Sequence, residues 1–465
     1  MGRAKRTLLP LGFFLLALFL FSGYAQAQLV KYEERWVGGK KVHLIKVDIS
    51  DPRVRVFPVL AQNKTGRAES LASMACRVGA VAAVNGTFFN AYSDLTSWGA
   101  LIDAGQVYRL GSGSGALSLG PGGLAEVARL NSRVEGRIDE KDDWQHWWYA
   151  WDVNCNIDDP EAIVIFTPRF GQNMRSPTAK TVVVENGVVT RMGSGPCPVP
   201  DNGYVIGFGP AAAAKFANRF YPGAKVEWWV VFEAKDGAPL QWSGRTVIQG
   251  GPLLLKDGAI VLDSHLDELY REPKFSRYGS WSFIGTDFEG CLVLGSVLGV
   301  DSLWNMARVL QQAGIRNAVC LDGNASCGLW YRGSYLVTPG RALSNCVAVT
   351  LEDPWVEVYF RGTRLSFDAR PFVWGGRTLV PMRSLADLLG WQVDWDGHKA
   401  IFRSGLHEIA LFPGSPEALV DGKKCFLDVP ATILSPGRMF VPLRFAAENL
   451  GLKVNWLEEG KVELY

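Results

Sequence analysis

The stretch 317-NAVCLDGNASCGLWY-331 decides how the rest of this chain is read. A short apolar run, Ala318 to Leu321, ends on Asp322. Gly323 and a small polar cluster follow, and the chain then turns apolar and aromatic. Upstream, "SLWNMARVLQQAGIR" reads as a helix from Ser302 with a stop at Gly314. The whole unit is therefore helix, strand, then a carboxylate at the strand end, where a rigid element can present chemistry. "SLASMACRVGAVAAVNG" (Ser70 to Gly86) has the same plan, with a buried strand ending at Asn85. Taken alone, Asp322-Gly323 is either a turn or a delivered carboxylate.

Working outward, "KVHLIKVDIS" and "VRVFPVL" read as strands, and "WGALIDAGQVYR" as a hairpin. Strands and helices mix without the steady alternation of a doubly wound sheet, so the expected class is α+β with mixed sheets. The strongest regularity lies near the C-terminus. "GGRTLVPMRSLADLLGWQVDWD" (375–396) is echoed by "PGRMFVPLRFAAENLGLKVNWL" (436–457). Arg377, Val380, Pro381, Arg383, Gly390 and Trp395 recur 61 positions later as Arg438, Val441, Pro442, Arg444, Gly451 and Trp456. This is a tandem repeat. Each unit reads as a turn, a Val-Pro entry, a short helix stopped by glycine and a strand ending in tryptophan. "VEVYFRGTRLSF" before the first unit alternates like a hairpin, which places a boundary near Asp353-Pro354.

The 465 residues suggest two to three domains. At 48% hydrophobic and 20% charged, the chain can bury a large core. Arg3, Lys5 and Arg6, the apolar run from Leu8 to Phe21 and Ala25-Gln26-Ala27 have the layout of a secretory leader over 1–27. The expected organisation is therefore leader, main domain over 28–352 and tandem-repeat domain over 354–465. The expected location is secreted or held at the cell envelope. The chain has 48 basic and 46 acidic residues, and removing the leader leaves 45 and 46. A balance so close to neutral gives no pull toward nucleic acid. Eight cysteines, all beyond the leader, are irregularly spaced with no C-x-x-C. Export permits disulfides, yet several sit in apolar runs that suit small buried thiols.

Four motifs occur in order: "AVNGTFFN" (83–90), "VIQGGPLLLKDG" (247–258), "SFIGTDFEG" (282–290) and the opening stretch with "SNCVAVT" (344–350) after it. Together they resemble the phosphodiester glycosidase family over most of residues 40–350. That resemblance implies hydrolysis of a sugar-1-phosphodiester between the anomeric carbon and a phosphate oxygen. A departing phosphate monoester has a second pKa of about 6, so it needs charge stabilisation more than protonation. Backbone N–H groups of Gly86, Gly250, Gly251 and Gly323 are candidates for that lining. Asn85 and Ser326 join them as candidates for holding substrate. Asp322, with Asp287 second, is the candidate base or nucleophile. No cofactor or metal is implied. The repeats resemble the copper amine oxidase N-terminal-like domain. Only His398 and His407 occur there, which does not make a copper site. Its expected role is attachment to the cell wall or envelope.

The chain departs from the family in two places. "LDGNASC" stands where the family has a glycine-rich run, and Trp281 stands where it has an arginine. Arg277 or Arg109 would then contact the phosphate. The competing expectation is a glycan-binding protein of the same fold with a degraded phosphate site. "DDWQHWWYAWD" (142–152) is either an aromatic lip for sugars or a packed insertion. Other classes fit less well. "GSGSG" at Gly111 has the wrong spacing for a nucleotide loop. "NASCG" lacks the first glycine of a nucleophile elbow, and none of His43, His146 and His265 has a telling context for a serine hydrolase. No H-E-x-x-H or histidine cluster points to catalytic zinc.

Overall fold

The strand Ala82–Asn85 is buried at all four positions, so both of its faces must be covered. One face carries Ala83, which packs with Leu71, Met74 and Ala75 of the helix Leu71–Arg77. The other carries Ala82 and Val84, which join Val347 and Val349 in a core shared with a second sheet. That sheet contributes Ile284, Leu294, Val319 and Leu321 to the shared core. Its alternate residues Phe283, Val293, Ala318 and Cys320 face the helix Leu303–Gln312, which buries Leu303, Met306, Ala307 and Leu310 against them. The layers thus run helix, sheet, sheet, helix. Each large side chain buried this way contributes roughly 1.5–3 kcal/mol.

The structure is a computed structural model. It describes residues 29–111, 114–174, 176, 178–238, 240, 246–267, 270, 278–352, 355–374, 376–405, 407–434, 437–458 and 460–465. The expected leader lies outside that set, and so does Arg277. The seven-stranded sheet runs, by residue number, 30–37, 40–47, 292–300, 279–287, 315–323, 253–256 and 259–260. The facing five-stranded sheet runs 334–337, 329–331, 82–85, 345–351 and 54–60. Neighbours in both are antiparallel, and half the residues are strand against 12% helix, so the class is α+β. Ser302 caps the second helix by accepting from Asn305 N at 3.2 Å, and Gly314 (φ 84°) ends it before the strand Ile315–Gly323.

Residues 100–250 build two larger sheets and a two-stranded ribbon, with a separate core that includes Ile102, Leu130, Trp148, Ile165 and Val182. The tryptophan-rich stretch divides between its two readings. Trp148 is core, edge-on to Phe220 at 5.5 Å, whereas Trp144, Trp147 and Trp151 are exposed. All eight cysteines are free, with Cys320, Cys327 and Cys346 buried.

The C-terminal residues have their own core, including Val380, Leu385, Ala386, Val441, Ala446 and Ala447. The helices Met382–Leu388 and Leu443–Asn449 are followed by Gly390 and Gly451 at φ 72° and 82°. The strands Arg377–Pro381 and Arg438–Pro442 pair antiparallel about Val380 and Val441, so the two units meet across a pseudo-twofold axis.

Candidate functional site

Three chain segments are tied together where the strand Ile315–Gly323 ends. Asn85 Nδ2 donates to the Asp322 carbonyl at 2.7 Å, and Gly328 N donates to Asn85 Oδ1 at 3.0 Å. Asp322 N donates to the Gly86 carbonyl at 3.2 Å. On the other side, Gly251 N donates to Cys320 O at 2.6 Å and Cys320 N to Pro252 O at 3.1 Å. The backbone around Asp322 is therefore held from both flanks. Its side chain is half-buried, within reach of water, and Oδ1 accepts from Gly323 N at 2.8 Å.

This arrangement corrects the glycine reading. The N–H groups expected to face a phosphate donate within the protein: Gly86 to Asn345 O, Gly250 to Gly115 O, Gly251 to Cys320 O and Gly323 to the Asp322 carboxylate. Glycine is required there because a Cβ would strike a neighbour. The obstacles are the Asn345 amide at Gly86, the Cys320 carbonyl at Gly250, the Phe88 ring at Gly251 and the Trp281 indole at Gly323. Asn85 is likewise buried with both ends of its amide spent on loop backbone, so it positions Asp322 and offers nothing to a ligand. Ser326 is buried, and its hydroxyl has no partner among the described residues.

Trp281 stands at the correct end of the sheet, opposite Gly323, but its indole is buried in the core with Phe88 and Phe283. Asn324 departs from the family pattern without filling the site. It is exposed at φ 53°, and its amide packs against Gly279.

Asp287 is placed elsewhere. The strand Gly279–Asp287 runs antiparallel to Ile315–Gly323, pairing Asp287 with Ile315 and Trp281 with Gly323. Seven positions separate Ile315 from Asp322, about 20 Å along a strand. Asp287 is a hairpin residue. Its Oδ1 accepts from Glu289 N and Cys291 N at 3.0 Å each, and its Oδ2 pairs with Lys46 at 3.0 Å. Burial pushes the Lys46 ammonium down, but the carboxylates of Asp287 first, then Glu289 and Glu33, together outweigh it and hold the group above its usual range. A cavity of about 440 Å³, lined in part by Glu126, Lys256, Asp287 and Arg316, opens at that far end.

Arg109 lies behind the loops. Its Nε donates to Ser97 O at 2.8 Å and its guanidinium is ion-paired with Asp152. Burial lowers its affinity for a proton, but Asp152 more than offsets that and keeps the charge fixed. Ser97 Oγ accepts from Asn345 Nδ2 at 3.0 Å, and Thr87 N donates to Asn345 Oδ1 at 2.9 Å, so Arg109 connects to the Asn85 loop only through a structural relay.

The cation that sequence reasoning missed is Arg341. It follows Gly340, whose N–H donates to Ala325 O at 2.8 Å, so it sits between the Asp322 turn and the Asn85 loop. Its guanidinium lies 5.8 Å from the Phe89 ring and 5.7 Å from the exposed ring of Tyr92. Its Nε has no hydrogen-bond partner, and the guanidinium no carboxylate partner, among the described residues. The available signal was an arginine three residues before "SNCVAVT", just outside a motif already singled out.

Two family models match the chain. Residues 179–350 match Phosphodiester glycosidase, a span that contains Asp322, Trp281 and Arg341 but neither Asn85 nor Arg109. Residues 359–464 match Copper amine oxidase N-terminal domain. No curated protein matches the chain. Among solved structures, a hypothetical protein from Synechocystis superposes with a TM-score of 0.60 at 22% identity, over 70% of this chain and 62% of that one. This chain thus spans under two thirds of that relative. A Burkholderia pseudomallei K96243 protein described as a candidate for export gives 0.54 at 20% identity, over 67% of this chain and 74% of that one. The zebrafish N-acetylglucosamine-1-phosphodiester alpha-N-acetylglucosaminidase catalytic domain, auto-inhibited by its pro-peptide, superposes only loosely. Its TM-score is 0.33 at 14% identity, over 70% of this chain and 82% of that one.

Proposed function

We propose that the main domain is an exported hydrolase of the glycosyl–phosphate bond in sugar-1-phosphodiesters of envelope or extracellular glycans. The observation that carries this reading is a held, water-accessible Asp322 carboxylate on a turn that Gly340, next to Arg341, ties to the adjoining loop. In this scheme Arg341 takes up the charge that the leaving phosphate acquires, by paired N–H donors to its oxygens. Asp322 activates water or attacks the anomeric carbon. Asn85 is a positioning residue. The match of residues 179–350 to phosphodiester glycosidases supports the reaction class.

A second reading keeps the fold and drops the chemistry, leaving a surface glycan-binding protein. It is favoured by Trp281 being core where the family has arginine, and by glycine N–H groups already engaged. In either case the C-terminal module would attach the chain to the wall or envelope.

The deciding experiment is release of sugar from a panel of sugar-1-phosphodiesters by the native protein and by Asp322→Asn. The hydrolase reading expects turnover that falls at least 10³-fold in the variant. Turnover unchanged by the substitution removes Asp322 from the mechanism. No turnover on any substrate, with glycan binding intact, establishes the second reading.

A further inference from the structure

We propose that the two C-terminal repeats form a pair of equivalent binding grooves for an anionic polysaccharide. Each groove presents an indole to a sugar ring and an arginine to that polymer's carboxylate or phosphate.

The argument begins with what the two units share. At the 61-residue offset the identical pairs are Gly376/437, Arg377/438, Val380/441, Pro381/442, Arg383/444, Ala386/447, Leu389/450, Gly390/451, Val393/454 and Trp395/456. Most have a structural cause. The four glycines sit at positive φ in turns. The Val, Pro, Ala and Leu residues are core or packed against it. Arg377 and Arg438 make reciprocal ion pairs across the pseudo-twofold axis, Arg377 with Asp428 and Arg438 with Asp368. Two pairs have no such cause. Arg383 and Arg444 are exposed, with no carboxylate partner among the described residues, and Trp395 and Trp456 are 50% and 47% exposed.

Those unexplained residues meet in space. One groove, about 310 Å³, is lined by Arg444 and Trp456 of the second unit with Arg377 of the first. The other, about 350 Å³, is lined by Arg383 and Trp395 of the first with Arg438 of the second. Each groove therefore needs both units, and the pseudo-twofold axis produces it twice. An exposed indole offers a flat apolar face with a polar edge, and arginine offers a planar fork to carboxylate or phosphate. Tryptophan and arginine are also the residues that dominate binding hot spots. Two copies of one site on one small domain suit a ligand that repeats along its length, because the second contact is then intramolecular. Carboxylates line both grooves, Asp428 and Glu448 the first and Asp394 the second. The first sets two acids against Arg377 and Arg444 and the second sets one against Arg383 and Arg438, so the second should hold an anion more tightly.

This deepens the attachment role of the module and is independent of Asp322 chemistry. The test uses the full chain and three polymers: polygalacturonate, a sugar-substituted poly(glycerol phosphate) and neutral dextran. Wild type should bind at least one anionic polymer, more weakly as salt rises, and should not bind dextran. The choice between the two anionic polymers tells carboxylate from phosphate. Trp456→Ala should weaken binding roughly 10²-fold by abolishing two-site contact. Trp395→Ala should cost more, and the double variant should not bind. Arg383→Ser with Arg444→Ser provides a surface-only check should an indole variant melt early, and it should lose the salt-sensitive part. All variants should release sugar from a soluble substrate as wild type does. Equal binding to dextran, no binding to either anionic polymer, or a double variant that binds as wild type each overturns the proposal. The last of these leaves attachment by another surface standing.

Discussion

Replacing Gly323 by alanine separates two reasons for a glycine beside Asp322. The backbone there is extended, at φ −131° and ψ −168°, which any residue adopts. No conformational cost follows, and the obstacle is steric. A Cβ at 323 would come 2.6 Å from Cδ2 of Trp281, closer still to its Cε3, and 2.9 Å from the Ser280 carbonyl oxygen. The indole is buried among Phe88, Leu254 and Phe283 and has no room to retreat. Overpacking of this kind costs about 1–3 kcal/mol. The same substitution made in Trp281→Leu should cost much less, because the offending ring is gone and only the close approach to the Ser280 carbonyl remains. A double-mutant cycle should therefore return most of the penalty as coupling between 281 and 323. The assay is calorimetry of the full chain. The transition of the main domain is followed, and that of the C-terminal module, which has its own core, serves as internal standard. The main transition should fall by a few degrees from wild type to Gly323→Ala, and by much less from Trp281→Leu to the double variant. The steric account is refuted if Gly323→Ala melts within a degree of wild type while turnover or glycan affinity drops tenfold. Glycine would then be serving the approach of a ligand.

Three other outcomes follow from the same geometry. Asn85→Ala strands the Asp322 carbonyl and the Gly328 N–H in a buried site, at about 1–3 kcal/mol each. Stability and turnover should fall together, and lost turnover at unchanged denaturant midpoint would instead make Asn85 a ligand contact. Arg341→Gln should leave the melting temperature within about 1 °C, since surface changes away from a buried network cost little, while reducing sugar release at least 10²-fold. An effect on stability alone would remove it from the site. Glu69 has its pKa lowered; burial opposes this, but bonds from Arg77, Gln62 N and Ser73 prevail. Its contribution is present above the ordinary glutamate range and lost as pH falls through its folded value. Acid titration of Glu69→Gln should accordingly show a shallower loss of stability below about pH 4, and an identical acid profile would contradict the ion pair.

Much of the architecture is legible because alternation and caps are local. The run "AVAAVNG" with no polar break announces a strand covered on both faces, and it lies between a helix and a second sheet. Ser302 and Gly314 bracket a helix of the length expected. The 61-residue echo gives two units, although nothing local shows that they pair through Val380 and Val441. What the tryptophans do is legible only one at a time, since period alone cannot say that Trp148 turns inward while its neighbours face solvent.

The site is harder to read, for a reason of direction. Motifs mark the ends of strands, and a strand end becomes a place in space only when its direction relative to its neighbour is known. "GTD" and "LDG" both close apolar runs, so they look like two walls of one pocket. Their strands are adjacent and antiparallel, which sends Asp287 to one end of the sheet and Asp322 to the other. Asn85 and Asp322 do converge, because their strands belong to different sheets that end on the same side of the sandwich. The same limit applies to the glycines. A glycine-rich turn looks like a phosphate cradle whether its N–H groups point at a ligand or at the Cys320 carbonyl, and only the partner distinguishes the two. The guanidinium at 341, by contrast, has no carboxylate partner among the described residues, and it reaches the Asp322 turn only through the Gly340–Ala325 contact between two loops far apart in sequence, which no single motif announces.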